Sequence, residues 1–224
     1  MTASIGVRSC VLILALLAVL SVPIYSQWAP GSTIHWYVDG SVNALNFEPS
    51  TANVQQEIED IMNSIADDWV YACGLNLSVI PGYGSKTIKI MAGNLQGLPN
   101  QTIAITDPIP TNCTNSNFEV VITLNWSAQL VYRDAVDEVY MRDLSQENFP
   151  YYNIDIRTVL LHELAHAFGM DGEGGVGVLS GSYHGSDREI DGEEAQVFRN
   201  MYLACHGLPT RKWQRVRTNF DDGN

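Results

Sequence analysis

The chain has 224 residues, 46% of them hydrophobic and 17% charged, with a formal net charge of −13. That apolar content is ample for a substantial core. The acidic balance argues against nucleic acid or anionic lipid as the main partner.

Arg8 precedes a ten-residue apolar run at 11–20, followed by Pro23 and a small residue at Ser26. This is the layout of a secretory signal peptide over residues 1–26, with cleavage after Ser26. The run falls short of the roughly 20 apolar residues that cross a bilayer. No later stretch is apolar enough to span, so no stable membrane association is expected. Loss of Arg8 takes the formal charge from −13 to −14. The remainder reads as one domain over 27–208. A solvated basic tail over 209–224 carries Arg211, Lys212, Arg215 and Arg217.

Four sequons follow the signal, at Asn76, Asn100, Asn112 and Asn125. Together they predict a secreted, extracellular glycoprotein. Cys10 leaves with the signal, so Cys73, Cys113 and Cys205 remain. An odd number points to one disulfide plus a free or intermolecular thiol, with the pairing open.

Alternation and β-forming residues predict a first strand at 33–38. After a helix-start signal at Pro49, Ser50 and Thr51, Val54, Ile58, Ile61, Met62, Ile65 and Trp69 recur at helical spacing. They predict one helix over 54–69, closed by Gly74. Strands are expected at 75–80, 87–91, 101–106 and 119–124, with a turn at 81–84. The strand at 101–106 lies between prolines and suits a sheet edge. Residues 127–153 are ambiguous, with a short helix near 131–140 and then a polar loop. Asp155 can cap a helix running to about Phe168. A glycine-rich loop over 172–185 leads to a last helix at 192–205. The order gives an α+β domain with one mixed, mostly parallel five-stranded sheet, an active-site helix and a C-terminal helix.

The predicted helix at 156–168 carries His162-Glu163-Leu164-Ala165-His166. At this spacing two imidazoles leave one helical face a turn apart and can grip a single Zn2+ ion. Glu163 is placed to take a proton from metal-bound water. Gly169 follows three residues after the second histidine, where the helix must end if the chain is to fold back toward the metal. Hydrolytic zinc sites use three protein ligands and leave a fourth position for water. His162 and His166 are therefore the candidate metal ligands and Glu163 the candidate general base. His35 and His206 read as ordinary strand and helix-end residues.

From 33 to 202 the chain resembles a metzincin metalloprotease, most closely the matrixin catalytic domain. The resemblance rests on the opening H-E-x-x-H-x-x-G at 162–169 and on Val178-Leu179-Ser180-Gly181-Ser182-Tyr183. The second stretch is similar to the tight turn beneath the zinc, with Tyr183 matching the family tyrosine. The Asp191-Gly192-Glu193-Glu194 start of the last helix is a third likeness. The resemblance implies a secreted zinc endopeptidase whose edge strand, here 101–106, binds extended peptide or protein substrate by strand addition. Two positions depart from the family. Leu179 stands in place of the turn methionine, a near-isosteric exchange. Gly172 stands where a third zinc-binding histidine or aspartate belongs, and it has no side-chain donor. Candidates for that ligand are Asp171, one residue early, His184, and the downstream Glu189, Glu193 or Glu194. With no third ligand, the resemblance implies a catalytically impaired metzincin-fold binding protein or decoy.

Overall fold

The computed structural model describes residues 28–48, 53–95, 102–107, 118–127, 129–134, 152–170, 177–180 and 188–205. The signal-peptide region, the basic tail, Asn100, Asn112, Cys113, Asp171, Gly172, Tyr183, His184 and His206 lie outside the described residues.

The fold is α+β. Five strands, β1 (Ser32–Val38), β2 (Leu77–Pro81), β3 (Lys86–Gly93), β4 (Ala104–Asp107) and β5 (Phe118–Asn125), form one mixed sheet in the order β2-β1-β3-β5-β4. The pairs β1/β2, β1/β3 and β3/β5 are parallel, and only β4 runs antiparallel, against β5. The sheet is thus mostly parallel, and β4 occupies the edge that its flanking prolines suggested.

One face of this sheet is the core. Ile34, Trp36 and Val38 from β1, Ile88 and Ile90 from β3, and Val120, Ile122 and Leu124 from β5 are all buried. Against them lie α1 (Val54–Ile65) and α3 (Ile156–Ala167). Helix α1 is amphipathic, burying Val54, Ile58, Ile61, Met62 and Ile65 on one stripe. Asn53 caps its start by accepting from the Gln56 N–H. The last helix, α4 (Gly192–Cys205), matches its expected span.

Two sequence expectations are corrected. The single helix expected over 54–69 is two helices, α1 and α2 (Asp68–Cys73), separated at Ala66 and Asp67. Ala66 keeps helical dihedrals (φ −59, ψ −26), and the break comes at Asp67 (φ −105, ψ 3). A turn this small barely disturbs the spacing of apolar residues, so periodicity runs through it. Gly74, at φ 60, ends α2.

The short helix expected near 131–140 begins as a strand instead. β6 (Leu130–Arg133) pairs in parallel with β7 (Tyr152–Asp155) to make a second, two-stranded sheet; residues 135–140 lie outside the described residues. Leu130, Val131 and Tyr132 are all buried, so the strand lacks the alternation that reveals a half-exposed one. Its partner is about twenty residues away across a parallel crossover, which leaves no local hairpin signal.

Candidate metal centre

Helix α3 begins where β7 ends. Asp155 closes the strand and caps the helix, its carboxylate accepting from the Thr158 N–H at 3.4 Å and the Thr158 hydroxyl at 2.7 Å. Nearly every side chain of α3 is buried; Arg157 and His162 are half-buried. A helix apolar on nearly all sides belongs inside a protein, so its polar residues need partners there.

The two histidines have such partners. The His162 Nδ1 lies 2.7 Å from the Val178 carbonyl oxygen and the His166 Nδ1 lies 2.7 Å from that of Met170. A carbonyl oxygen can only accept, so each Nδ1 carries the proton and donates. In the neutral ring this places the lone pair on Nε2, and the two Nε2 atoms face one another at 3.1 Å. The rings meet edge to face, at 74° with centroids 4.7 Å apart.

This arrangement fits a bound cation. Two ligands held about 2.05 Å from a tetrahedral zinc stand roughly 3.3 Å apart. The carbonyl partners on Nδ1 are the usual outer support of a metal-binding histidine, fixing both tautomer and ring orientation.

The end of α3 supplies one of those carbonyls. Gly169 adopts φ 104, its N–H donates to the His166 carbonyl at 2.8 Å, and the Met170 N–H donates to that of Ala165 at 3.0 Å. The paired bonds make a Schellman cap. It turns the chain back so that the Met170 carbonyl reaches the His166 ring.

The other carbonyl comes from the 3-10 turn at Gly177–Leu179, where Val178 and Leu179 are buried. Glu194, also buried, holds this turn. One carboxylate oxygen accepts from the Leu179 N–H at 3.2 Å and the other from the Asp191 N–H at 2.8 Å. Asp191 in turn accepts from the N–H groups of Glu193 and Glu194, both at 2.7 Å. Asp191 and Glu194 thus form a reciprocal capping box for α4. Both carboxylate oxygens of Glu194 thus accept backbone N–H groups at this turn. Glu189 and Glu193 are exposed. Among the described residues, no three His, Cys, Asp or Glu side chains cluster as a metal site.

Glu163 is buried, 5% exposed. Its Oε2 accepts from the Thr106 hydroxyl at 2.5 Å, and Thr106 Oγ1 lies 3.2 Å from the Glu163 carbonyl oxygen. Thr106 belongs to the edge strand β4, paired opposite Ile122 of β5. The candidate base is therefore tied directly to the edge strand of the sheet. Sequence gave no sign of this contact, which joins residues 57 positions apart.

Further polar contacts fix α3 in place. Arg188 forms a forked pair with Asp155 and also reaches Asp134 at 3.0 Å, while Arg157 lies 3.5 Å from Asp134 and donates to Ser64 at 2.7 Å. The Trp69 indole N–H donates to the Leu161 carbonyl at 2.9 Å and its ring stacks at a tilt on Phe198, 5.0 Å away. The indole N–H of buried Trp28 donates to the Ala167 carbonyl at 2.9 Å. The Trp28 carbonyl accepts from the Tyr202 hydroxyl at 3.0 Å, joining the last turn of α3 to α4. Tyr132, fully buried, donates its hydroxyl toward the carbonyls of Ile103 and Asn125, both at 2.9 Å. Burial pushes its ionisation upward.

Cys73 is a buried free thiol whose Sγ lies 3.3 Å from the Ala195 carbonyl oxygen. Burial pushes its pKa up to about 12. His35 sits half-buried on β1, its Nδ1 shut from solvent with no hydrogen-bond partner among the described residues.

Compared with known proteins, the chain matches no family model, and no curated protein matches it in sequence.

Proposed function

We propose that the chain is a secreted zinc-dependent endopeptidase of metzincin type. The observation that supports this reading most strongly is the facing pair of Nε2 lone pairs on His162 and His166, 3.1 Å apart. Each ring is held in the metal-binding tautomer by a backbone carbonyl. Bound between them, zinc would polarise the scissile carbonyl and bring the pKa of its water toward neutrality.

The chain's own residues divide the remaining work. His162 and His166 hold the ion, with Asp171 or His184 as candidates for the third ligand. The outer edge of β4 receives extended peptide by strand addition, since β4 pairs only with β5 among the described residues. Glu163 takes a proton from the attacking water and delivers it to the leaving amine. Thr106 donates to one carboxylate oxygen of Glu163 and so orients the carboxylate for that transfer.

A second reading, a catalytically impaired metzincin-fold binding protein or decoy, is favoured by Gly172, which brings no donor to the position of the third ligand. Two measurements separate them. Elemental analysis of purified protein should find about one zinc per chain, lost in His166→Ala. A peptide-library assay should show cleavage by the wild type and none by Glu163→Ala. Equal cleavage by both would sink the catalytic reading, and zinc without wild-type cleavage would establish the binding protein.

A further inference from the structure

The four sequons are not equivalent once the fold is known. Asn125 closes β5 and is buried, 5% exposed. Its side-chain amide donates to the Thr102 carbonyl at 2.7 Å, and its side-chain oxygen accepts from the Ser127 N–H at 3.2 Å. Its backbone carbonyl receives the Tyr132 hydroxyl at 2.9 Å. A sugar on this nitrogen would have to occupy space filled by packed protein and would break the tie that holds residue 102, just ahead of β4.

Asn76 is the opposite case. It is exposed, in the bend between Gly74 and β2, and Ser78 of the same sequon is exposed as well. Its backbone carbonyl accepts from the Gly31 N–H at 2.6 Å, which fixes the main chain while the side chain points away from the core. Just after it begins β2, the outermost strand, which pairs on one side only among the described residues. Such an open edge invites pairing with another chain. Three of the exposed large apolar side chains, Tyr71, Ile80 and Tyr83, flank Asn76 in sequence. A bulky hydrophilic group here would cover both liabilities.

We infer that Asn76 is a glycan acceptor that shields the β2 edge, and that Asn125 is not modified in the folded protein. The Asn76 Nδ2 forms a bond to the anomeric carbon of a lipid-diphosphate-linked oligosaccharide. The bond from that carbon to the diphosphate oxygen breaks, the lipid diphosphate leaves with the electron pair, and one amide proton is released. The inference rests on secretory export and not on the metal chemistry. Asn76 and β4 lie at opposite edges of the sheet, four strand spacings or roughly 19 Å apart, so the glycan leaves the substrate edge clear.

The test uses the full chain secreted from eukaryotic cells. After treatment with an amide-cleaving glycosidase, peptide mapping should read aspartate at position 76 and asparagine at position 125. Ser78→Ala, which keeps Asn76 itself, should lose one glycan and retain its zinc content. Ser78→Ala and Asn76→Gln should both self-associate in light scattering at concentrations where wild type stays monomeric. Asparagine at 76 in the secreted protein, or aspartate at 125, overturns the assignment. A chain retained in the cell with no glycan overturns it through the failure of export. Variants that associate no more than wild type overturn the shielding role.

Discussion

Glu194 and Leu179 are joined by a hydrogen bond of 3.2 Å between a buried carboxylate and a backbone N–H. Through the adjacent Val178 carbonyl, 2.7 Å from the His162 ring, the N-terminal turn of α4 sets the orientation of a proposed zinc ligand. Glu194→Ala would leave the N–H groups of Leu179 and Asp191 without this partner, at about 1–3 kcal/mol for each group left buried. We expect a lower urea midpoint together with zinc affinity weakened by roughly 10–100-fold. Unchanged affinity, read by competition with a chromogenic chelator, would show that the turn does not position His162.

Thr106→Val should keep the packing of β4 and remove the hydroxyl that orients Glu163. Loss of one positioning bond worth about 1.4 kcal/mol lowers kcat roughly tenfold. KM and zinc content should stay unchanged, and Thr106→Ser should restore the rate. If Thr106→Val cleaves peptide as fast as wild type, the contact is structural only.

Alkaline pH should destabilise the fold through Cys73 and Tyr202. Burial raises the Cys73 thiol from 9.0 to about 12 and the Tyr202 hydroxyl from 10.0 to about 12. Both groups are released for ionisation on unfolding, so over this range the unfolded chain holds fewer protons and stability falls as pH rises. Their contribution is intact below pH 9 and is lost between 9 and about 12. Urea midpoints measured across that window should decline less steeply in Cys73→Ala. Identical slopes would remove Cys73 from the account. The same burial should keep Cys73 from alkylation in the native protein.

Asp155 both caps α3 and receives Arg188. Asp155→Ala removes both interactions and leaves Arg188 with Asp134 alone as its carboxylate partner among the described residues. We expect a loss of about 3 kcal/mol in urea unfolding. Asp155→Asn should lose less, because an asparagine still caps. Equal losses in the two variants would assign the effect to the ion pair rather than the cap.

The central elements were readable because each carries its own local signal. The spacing of His162, Glu163 and His166 put them on α3, Asp155 announced its start, and Gly169 announced its end. The capping box of Asp191 and Glu194 is legible in the D-x-x-E pattern, which gives Glu194 a structural task alongside any other. What escaped depends on distant partners. The break at Asp67 leaves the apolar spacing intact, β6 needs a strand about twenty residues later, and Thr106 meets Glu163 only through the folding of an edge strand over a helix. Trp28 gave no hint of its role, because an isolated tryptophan says nothing about what it will cover.

Buried Trp28 bridges the last turn of α3 and the last turn of α4, its indole N–H donating to one and its carbonyl accepting from the other. A chain lacking Trp28 would lose both of these bonds at once, so this residue ties the two helices by its side chain and its backbone together.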